Sequence, residues 1–431
     1  MTKLLVSVTK FDDAYKSVRQ ALDLCQGLAG LHKGDKILIK PNLVSWDFDL
    51  PFPPYGVVAT SAVMSALVQI LAEEGFTDLT IGEAPLMVPR TIGQAIFKEL
   101  GYDKLQARYG VKLIDFNEEK FEKVDCGGYE LSIAESVLAA DKIINVPVLK
   151  THNQTMVSLG IKNFKGVLNR KSKMFCHNKD TDLNYIFPHI IEKLPVALTL
   201  IDGVFGLAKG PGPTGKAERL NLLVASRDTL SADIVGAALL GYKAEDVEFL
   251  TYFAKRNGGS LDINDIEVRG EDVEKNSKFL DYDWEWTEEN TGPVGFAKRG
   301  ITGLAIRKYD NTMCTGCSML FNPVLIMFMS AFKGEPLPNL EVVSGKVQVA
   351  APGFDKTVLF GRCPCQLNKD NPNIKHAIAI KGCPPDLMEF EKAMKEEGIA
   401  CDYNQYVMYR HYIFNRYKAE DGFDMGLYKV K

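Results

Sequence analysis

Four cysteines near the carboxyl terminus have the residue type and spacing of an iron–sulfur ligand set: Cys314, Cys317, Cys363 and Cys383. The first two form a C-x-x-C pair, in which one tight turn aims two sulfurs at neighbouring irons. Gly316 within this pair allows the backbone to curl around a cluster, and the proline that follows each of the two later cysteines stiffens the chain as it leaves the cluster. Four thiolates can hold a 4Fe–4S cube with one cysteine on each iron. We therefore predict a 4Fe–4S cluster as the cofactor.

Two alternatives to this ligand set stay open. Structural zinc modules usually pair two C-x-x-C knuckles, whereas this chain has one, so zinc or unliganded thiols are the competing interpretations. Cys365 lies two residues after Cys363 and could replace it as the third ligand. We prefer Cys363, because Gly361 gives its loop more freedom. Cys25 lies on the apolar face of a predicted helix and is expected in the core.

A second group of reactive side chains follows a predicted strand in the middle of the chain. It contains Lys150, His152, Lys162, Asn163 and Lys165. Clustered lysines suit a phosphate or a carboxylate, and a histidine among them can transfer protons. We predict that Lys150 and His152 are catalytic and that the other three bind the substrate. The alternative is a solvated charged loop.

Other predicted strands also end in polar residues. Lys40 and Asn42 follow the second strand, Glu83 follows another, and Asp202 ends a third. In a doubly wound sheet, ligands bind beyond the carboxyl ends of the strands. We therefore predict that these four residues line the same anion-binding crevice. The alternative is that their charges only cap helices.

Two further segments carry less specific signals. Arg170, Lys171 and Lys173 are expected to be solvated charges. Residues 210–216 read GPGPTGK, which fits a phosphate-loop pattern in spacing. However, two prolines remove amide donors that such a loop needs. We expect a lid or a turn there.

The elements that must position these residues alternate between strand and helix. Strands are predicted at residues 3–8, 36–40, 79–81, 112–115, 142–147, 197–202, 222–225 and 356–360. Helices are predicted at residues 13–31, 60–74, 229–240 and 387–397. This alternation predicts an α/β fold with a mostly parallel, doubly wound sheet.

Two domains are expected. Residues 1–295 form the α/β domain with the crevice, and residues 296–431 form a smaller C-terminal iron–sulfur α+β domain. The acidic segment 271–290, which holds two of the three tryptophans, connects them. Within the second domain, residues 340–350 are predicted to form a hairpin. The apolar run 320–332 is predicted to be a buried helix or a docking surface.

Composition narrows the class of protein. The 431 residues suggest two or three domains, and 46% hydrophobic with 25% charged residues is ordinary globular usage. A net charge of −4 gives no general attraction to nucleic acid or to anionic membranes. The pattern of apolar residues predicts neither a signal peptide nor a membrane span. We therefore expect a cytoplasmic protein, in which nine cysteines stay reduced.

The motifs together resemble the family called domain of unknown function 362, whose members are often described as iron–sulfur cluster-binding proteins. The similar strings are IKPN at 39–42, GEAP at 82–85, VPVLKTH at 146–152, SLGIKNFKG at 158–166, IDG at 201–203, SADIVGAALLG at 231–241, and the later CTGC, GRC and IKGCPP. The resemblance implies an α/β domain with an iron–sulfur attachment and names no reaction. Many relatives carry ferredoxin-type cysteine runs. The sparser pattern here argues against a relay of two clusters.

The leading functional hypothesis is an iron–sulfur oxidoreductase of anaerobic metabolism. A ferredoxin-like partner would exchange electrons with the cluster, which would pass them to a small anionic substrate in the crevice. One alternative is an electron-transfer or scaffold protein without chemistry of its own. Another is a non-redox enzyme with a structural cluster or zinc. No nicotinamide or flavin fingerprint stands out, and a homo-oligomer is compatible with the sequence.

Overall fold

The computed structural model describes residues 3–86 and 92–431. Its strands are β1 Leu4–Lys10, β2 Ile37–Pro41, β3 Leu79–Glu83, β4 Lys112–Asp115, β5 Phe121–Asp125, β6 Glu130–Ala134, β7 Lys142–Val146, β8 Val148–His152, β9 Met156–Ser158, β10 Val196–Ala208, β11 Lys216–Ser226, β12 Ile266–Gly270, β13 Leu304–Ile306, β14 Leu340–Val343, β15 Lys356–Phe360 and β16 Ala377–Ile380.

The α-helices alternate with these strands along most of the chain. They are α1 Ala14–Leu24, α2 Ser61–Glu73, α3 Ile92–Glu99, α4 Tyr102–Tyr109, α5 Glu135–Leu138, α6 Gly160–Asn163, α7 Arg170–Phe175, α8 Leu183–Ile191, α9 Thr229–Leu239, α10 Glu248–Asn257, α11 Val273–Asn276, α12 Val294–Ala297, α13 Thr315–Ala331, α14 Arg362–Leu367, α15 Leu387–Glu396 and α16 Tyr403–Ala419. Within the described ranges, none of them is long and apolar enough to cross a bilayer.

A ten-stranded sheet organises the first part of the chain. Its order is β12-β1-β11-β10-β7-β2-β3-β4, and β8 and β9 extend it beside β10. Every neighbouring pair in the series β10-β7-β2-β3-β4 is parallel. The predicted α/β fold with a mostly parallel sheet is therefore confirmed.

The sheet is covered on both faces, which the residues of β2 illustrate. Ile37 and Ile39 pack into one hydrophobic core with α1 and α2, whereas Leu38 packs into a second core with α8 and α9. Successive side chains of a strand point to opposite faces, so a continuous apolar run serves both cores. The doubly wound arrangement places the ends of the parallel strands at one open edge.

The helices of this part begin and end largely as predicted. Asp13 and Thr60 accept hydrogen bonds from backbone amides in the first turns of α1 and α2, as N-cap residues do. The predicted first helix runs to residue 31 and is too long. The chain leaves the helix after Leu24, and Gln26 has a left-handed φ of 53°. An α-helix cannot continue through that conformation.

One antiparallel pair inside the large sheet was not predicted. β10 is thirteen residues long and pairs antiparallel with β11, from Thr199 opposite Ser226 to Ala208 opposite Lys216. The predicted strands at 197–202 and 222–225 correspond to the first part of β10 and the last part of β11. The GPGPTGK segment forms the connection between its two arms, in agreement with the predicted turn.

A second sheet of four strands, β13-β14-β15-β16, lies in the C-terminal part. All three of its strand pairs are parallel. The hairpin predicted at residues 340–350 is therefore wrong: the chain leaves β14 at Val343, and the turn at Gly345 leads to no returning strand. Parallel strands also make this unit α/β rather than α+β. Strands this short contain too few alternating apolar and polar residues to show whether neighbouring strands run parallel or antiparallel.

The apolar run at 320–332 belongs to α13, whose Phe321, Val324 and Phe328 are buried in the core of the C-terminal unit. A buried helix was one of its two predicted forms. Trp286 from the acidic connecting segment packs on the same core, and its indole nitrogen donates to the carbonyl of Ile306 at 2.8 Å.

The end of the chain returns to the first unit. Tyr417 of α16, Tyr428 and Val430 are buried in the core beside α2 and α4. The hydroxyl of Tyr417 accepts a hydrogen bond from the backbone amide of Ala217 at 2.8 Å. The division into residues 1–295 and 296–431 stays a prediction, and the last turns of the chain pack across it.

Candidate functional site

A cavity of about 80 Å³ lies at the carboxyl edge of the large sheet. We call it the basic crevice. Its wall contains all the residues predicted for the site except Lys40 and Asp202. These wall residues are Asn42, Glu83, Lys150, His152, Lys162, Asn163 and Lys165. The sheet edge and the helix that follows β9 thus bring together side chains that are distant in sequence.

Lys150 lies on β8, which continues the direction of β7 past the sheet edge and pairs with both β10 and β9. Its ammonium donates to Oδ1 of Asn42 and to the carbonyl of Val57, both at 2.6 Å. Burial lowers the pKa of Lys150 to about 7, although the negative charge of Glu83 opposes the shift. A lysine in this state can gain or lose a proton near neutral pH.

Lys162 and Asn163 are positioned by α6, a helix of four residues whose first amides are held by Asp233. The two carboxylate oxygens of Asp233 accept from the amides of Gly160 at 2.6 Å and Ile161 at 2.9 Å. A Cβ on Gly160 would lie 2.7 Å from that carboxylate, so only glycine allows this approach. Asp233 was not predicted to act here. The feature that could have indicated this role is that Asp233 is the single acidic residue in the apolar helix motif SADIVGAALLG.

Lys40 lies beneath the crevice and does not line it. Its ammonium donates to Oε2 of Glu83 at 2.8 Å and to the carbonyl of Pro41 at 3.1 Å. Both members of this ion pair are buried. A Cβ on Gly166 would lie 2.2 Å from a carboxylate oxygen of Glu83, so glycine is required over the pair. The prediction of Lys40 as a substrate ligand is corrected: the pair fixes Glu83 in the wall.

The asparagines link these elements into one network. Nδ2 of Asn42 donates to Oδ1 of Asn163 at 2.9 Å, and Nδ2 of Asn163 donates to Oδ1 of Asn145 at 2.8 Å. The amide of Asn145 donates in turn to the carbonyl of Gly160 at 2.9 Å. Fully bonded polar networks of this kind hold side chains in one geometry.

Three more lysine ammonium groups line the basic crevice. For Lys162, the structure shows no hydrogen-bond partner within the part of the chain that it describes, and the group lies 5.8 Å from the ring centre of Phe187. Burial, and then the charges of Lys165 and Lys150, hold the pKa of Lys162 well below its ordinary range. Burial also lowers the pKa of Lys165, and it lowers the pKa of Lys173 to about 8.

Lys173 corrects the prediction of a solvated charge. Its side chain is buried and its ammonium donates to the carbonyl of Ala84 at 2.5 Å. In the six-residue helix α7, Arg170 and Lys171 are exposed, whereas Ser172 and Lys173 are buried. Sequence spacing alone could not place the buried side.

Two buried histidines complete the crevice. Nδ1 of His152 accepts from the backbone amide of Gln154 at 3.1 Å, so a neutral ring carries its proton on Nε2. Nδ1 of His177 lies 2.8 Å from the carbonyl of Asn311, and its Nε2 lies 2.5 Å from the ammonium of Lys165. His177 therefore donates to the carbonyl and accepts from the lysine. Burial and the nearby lysines hold the pKa of both rings well below the ordinary value.

The charges of the basic crevice do not balance. Among the described residues of its wall, Glu83 is the one carboxylate, and it is already paired with Lys40. Buried charges are normally paired, because an isolated ion costs several kcal/mol to desolvate. Excess buried positive charge can be relieved by neutral lysines or by a bound anion. The wall is therefore suited to a small anion.

Asp202 is corrected as a crevice residue. Its Oδ2 accepts from the amide and the hydroxyl of Thr60 at 2.7 and 2.8 Å, and its Oδ1 accepts from the amide of Val204 at 3.1 Å. It thus joins β10 to the start of α2. This matches the alternative in which strand-end charges cap helices.

A larger cavity of about 540 Å³ lies beside the basic crevice and is lined by the four predicted ligand cysteines, Cys314, Cys317, Cys363 and Cys383. We call it the cysteine cavity. Three segments supply them: the start of α13, the start of α14, and the turn after β16. Gly361, with a φ of 109°, opens α14 toward this cavity, and the Sγ of Cys317 lies 3.9 Å from the position that its Cβ would take.

Cys365 points elsewhere. Its thiol contacts the carbonyl of Leu359 at 3.6 Å, and its side chain packs against a small apolar cluster with Val343 and Ala350. It does not line the cysteine cavity. The geometry favours Cys363 over Cys365 as the third cysteine of the set.

Two cations that were not predicted to act here, Lys346 and Arg170, line the cysteine cavity. The ammonium of Lys346 donates to the carbonyls of Met174 at 3.2 Å and His177 at 2.6 Å, and it lines the cysteine cavity. The guanidinium of Arg170 donates to the carbonyl of Cys383 at 3.0 Å. Lys346 carries no recognisable motif, and Arg170 was predicted only as a solvated charge.

The two cavities share part of their walls. Leu86, Lys173 and Thr315 line both. Thr315 directly follows Cys314, and its hydroxyl accepts from Lys165 at 3.1 Å. The anion-binding side chains and the cysteines are therefore neighbours.

The fold and these cavities define an α/β protein whose sheet edge carries a basic crevice next to a cysteine-lined cavity. Residues 37–238 match the model of the family described as "Domain of unknown function (DUF362)". The match contains the strands and lysines of the crevice and ends before the four cysteines.

Two known proteins are similar over part of the chain. The thylakoid-associated protein sll1697 of Synechocystis is 26% identical over 225 residues, which is 51% of this chain and 67% of that protein. The lactate racemase apoprotein from Thermoanaerobacterium thermosaccharolyticum aligns with a TM-score of 0.34 and 14% identity. That alignment covers 55% of this chain and 56% of the racemase, little more than half of each.

Proposed function

We propose that this chain is an iron–sulfur oxidoreductase that reduces or oxidises a small anion in the basic crevice, with one 4Fe–4S cluster in the cysteine cavity. The observation that carries the proposal is the shared wall of Leu86, Lys173 and Thr315. A redox centre and an anion-binding site that share a wall can take part in the same reaction. If the cluster lay on the far side of the molecule, a relay or structural role would fit better.

The cysteine set fits a cluster better than a single ion. Zinc draws all its ligands to within about 2.3 Å of one point. Within residues 3–86 and 92–431, no three His, Cys, Asp or Glu side chains are grouped closely enough to hold one ion. A 4Fe–4S cube instead takes one thiolate at each of four separate irons. Four cysteines from three segments around one cavity suit that arrangement. When bound, such a cluster accepts and donates one electron at a time.

The side chains of the basic crevice have separate tasks. Lys162, Lys165 and Lys173 hold the anion, because charge-assisted hydrogen bonds are the strongest contacts that a buried anion can make. His152, with its proton on Nε2, and Lys150, with its pKa near 7, supply or remove protons as the substrate changes charge. Glu83, held by Lys40, completes the polar wall.

The setting of the protein follows from this chemistry. We place it in a reducing compartment such as the cytoplasm, where a thiolate-bound cluster persists. An electron carrier of the ferredoxin type is the proposed redox partner. Nucleic acid is not a proposed ligand, because the net charge of −4 leaves only local basic surfaces.

The test is anaerobic purification followed by metal analysis. The chain should be coloured and contain about four irons, and Cys317→Ala should lose them. Lys162→Met should keep the iron but weaken anion binding by about tenfold or more, measured by calorimetry with small carboxylates and oxyanions. A colourless chain with stoichiometric zinc would contradict the cluster. An iron-loaded chain whose anion binding does not respond to Lys162→Met would contradict the crevice.

A further inference from the structure

The mouth of the cysteine cavity carries positive charge that the basic crevice does not explain. Arg170, Lys171, Lys346 and Arg362 line this cavity, and we call them the basic rim. All except Lys346, which is partly buried, are exposed to solvent. They differ in this respect from the crevice lysines, which are buried and closed to anything larger than a small anion.

Negative charge in the same wall is weak. Among its described residues, Glu119 is the one carboxylate. It accepts a hydrogen bond from the hydroxyl of Ser136 at 2.6 Å, and burial raises its pKa. The whole chain has a net charge of −4, so the basic rim is a local reversal of sign. A reversal of this kind attracts an acidic partner toward one place on the surface.

Apolar side chains lie between the rim charges. Phe121, Met174, Met319 and Pro384 line the same cavity and are partly or fully exposed. Protein interfaces are enriched in methionine, aromatic residues and arginine, and they surround an apolar centre with polar groups. The rim charges come from three separate segments, α7, the turn after β14, and α14. That spread suits an extended protein surface better than one small anion.

We propose that the basic rim docks a small acidic electron-carrier protein over the cysteine cavity. The inference rests on the proposed function, since a carrier is needed only if a cluster occupies that cavity. Encounters between redox proteins are typically small and weak, and electrostatic steering sets much of their rate. The rim would give that steering, and the apolar centre would bring the carrier close to the cysteines.

The experiment measures binding of a small acidic one-cluster ferredoxin to the anaerobically purified chain. Wild type is compared with Lys171→Glu/Arg362→Glu at low and at raised ionic strength. Arg170 is left intact, because it contacts the ligand segment at Cys383. The control is Lys243→Glu/Lys255→Glu, which reverses two exposed lysines that lie outside both cavities. We expect the rim variant to bind about tenfold or more weakly at low salt and to lose most of its salt dependence, with the control unchanged.

Iron content is read on the same samples. An iron-loaded wild type that binds the ferredoxin no more tightly than the rim variant overturns the docking inference and leaves the cluster assignment standing. Binding to vesicles of anionic lipid, without binding to the ferredoxin, also overturns it. A wild type without iron overturns the proposed function and the docking inference together.

Discussion

The ammonium of Lys165 donates a hydrogen bond to the hydroxyl of Thr315, at 3.1 Å. One residue belongs to the anion-binding wall and the other directly follows a ligand cysteine. The same ammonium lies 2.5 Å from Nε2 of His177, so Lys165 is held from both sides. The contact joins the helical turn that follows α6 to the start of α13. It explains why the cavities, formed by segments far apart in sequence, meet at a common wall.

The first prediction separates the two candidates for the third cysteine. Cys363→Ser should lose most of the iron, because its thiol faces the cysteine cavity. Cys365→Ser should keep about four irons, since that thiol contacts Leu359 and packs among apolar side chains. Iron analysis and visible absorbance of both variants decide the matter. Loss of the cluster from the second variant alone would reverse the assignment.

The second prediction compares two buried lysines, of which Lys40 is paired with Glu83 and Lys162 has no salt bridge among the described residues. Lys162→Met should raise the free energy of unfolding by about 1–4 kcal/mol, because it removes a buried lysine amine whose charged form has no salt bridge among the described residues. Lys40→Met should lower it by about 3–5 kcal/mol, because Glu83 would be left as an unpaired buried charge. Urea unfolding measures both.

The effect of Lys162→Met on anion affinity is measured beside its effect on stability. Lys162→Met should weaken anion binding by about tenfold or more, the cost of one hydrogen bond to a charged group. Equal destabilisation by the two substitutions would mean that Lys162 has a partner in solution that balances its charge.

The third prediction concerns pH and Lys150. Its ordinary pKa is 10.5, and burial lowers it to about 7. Between about pH 7 and 10 the unfolded chain holds a proton that the folded chain has lost, so Lys150 makes stability rise with pH across this window. Below about pH 7 both states are protonated, and the full cost of burying the charge is present. Lys173, with a pKa of about 8, acts in the same direction.

Anion binding should show the opposite trend. It requires charged lysines, so affinity should fall as pH rises through about 7. Lys150→Met should flatten part of both pH profiles. The measurement is urea unfolding and anion titration at about pH 6 and about pH 9 for wild type and variant. Parallel profiles for the two proteins would show that Lys150 does not titrate in this range.

The fourth prediction tests the reassignment of Asp202. Asp202→Ala removes the acceptor for Thr60 and Val204 and should cost roughly 3 kcal/mol of stability. Anion binding and iron content should stay unchanged, since Asp202 lines neither cavity. Weaker anion binding at unchanged stability would return Asp202 to the crevice.

The fifth prediction uses the charge of Lys346. A cation beside a cluster favours the more negative, reduced state, so Lys346→Met should lower the reduction potential. A potentiometric titration followed by electron paramagnetic resonance measures the shift. Lys243→Met, which changes an exposed lysine outside both cavities, is the control. An unchanged potential at full iron content would show that Lys346 acts only by bridging the carbonyls of Met174 and His177.

Strand ends and motifs predicted most of the basic crevice. The carboxyl ends of parallel strands must meet at one edge, so Asn42, Glu83 and Lys150 could be grouped before any contact was known. Grouping residues by strand ends failed for Asp202, because its strand does not end there. Asp202 lies in the middle of β10 and faces Thr60 instead of the crevice. β10 continues to Ala208, and its length is not visible in the local sequence.

Supporting residues were the least predictable. Asp233 holds α6 from a helix that is apolar by composition, and Lys173 turns inward on a helix of six residues. Neither contact follows from periodicity, because each depends on which side of a short element is covered by a distant segment. The C-terminal strands were equally ambiguous, since three to five residues in a row do not reveal whether a neighbour runs parallel or antiparallel.

The return of the chain end to the first core has a mechanical consequence. The four-stranded unit is anchored at its beginning through the connecting segment and at its end through Tyr417, Tyr428 and Val430. Because both of its ends are held, the four-stranded unit cannot rotate away from the large sheet about a single hinge. We therefore expect the cysteine cavity to be filled through its mouth, by insertion into a frame that is already assembled. The arginines and lysines of the basic rim would be the first groups that an incoming cluster or its donor meets.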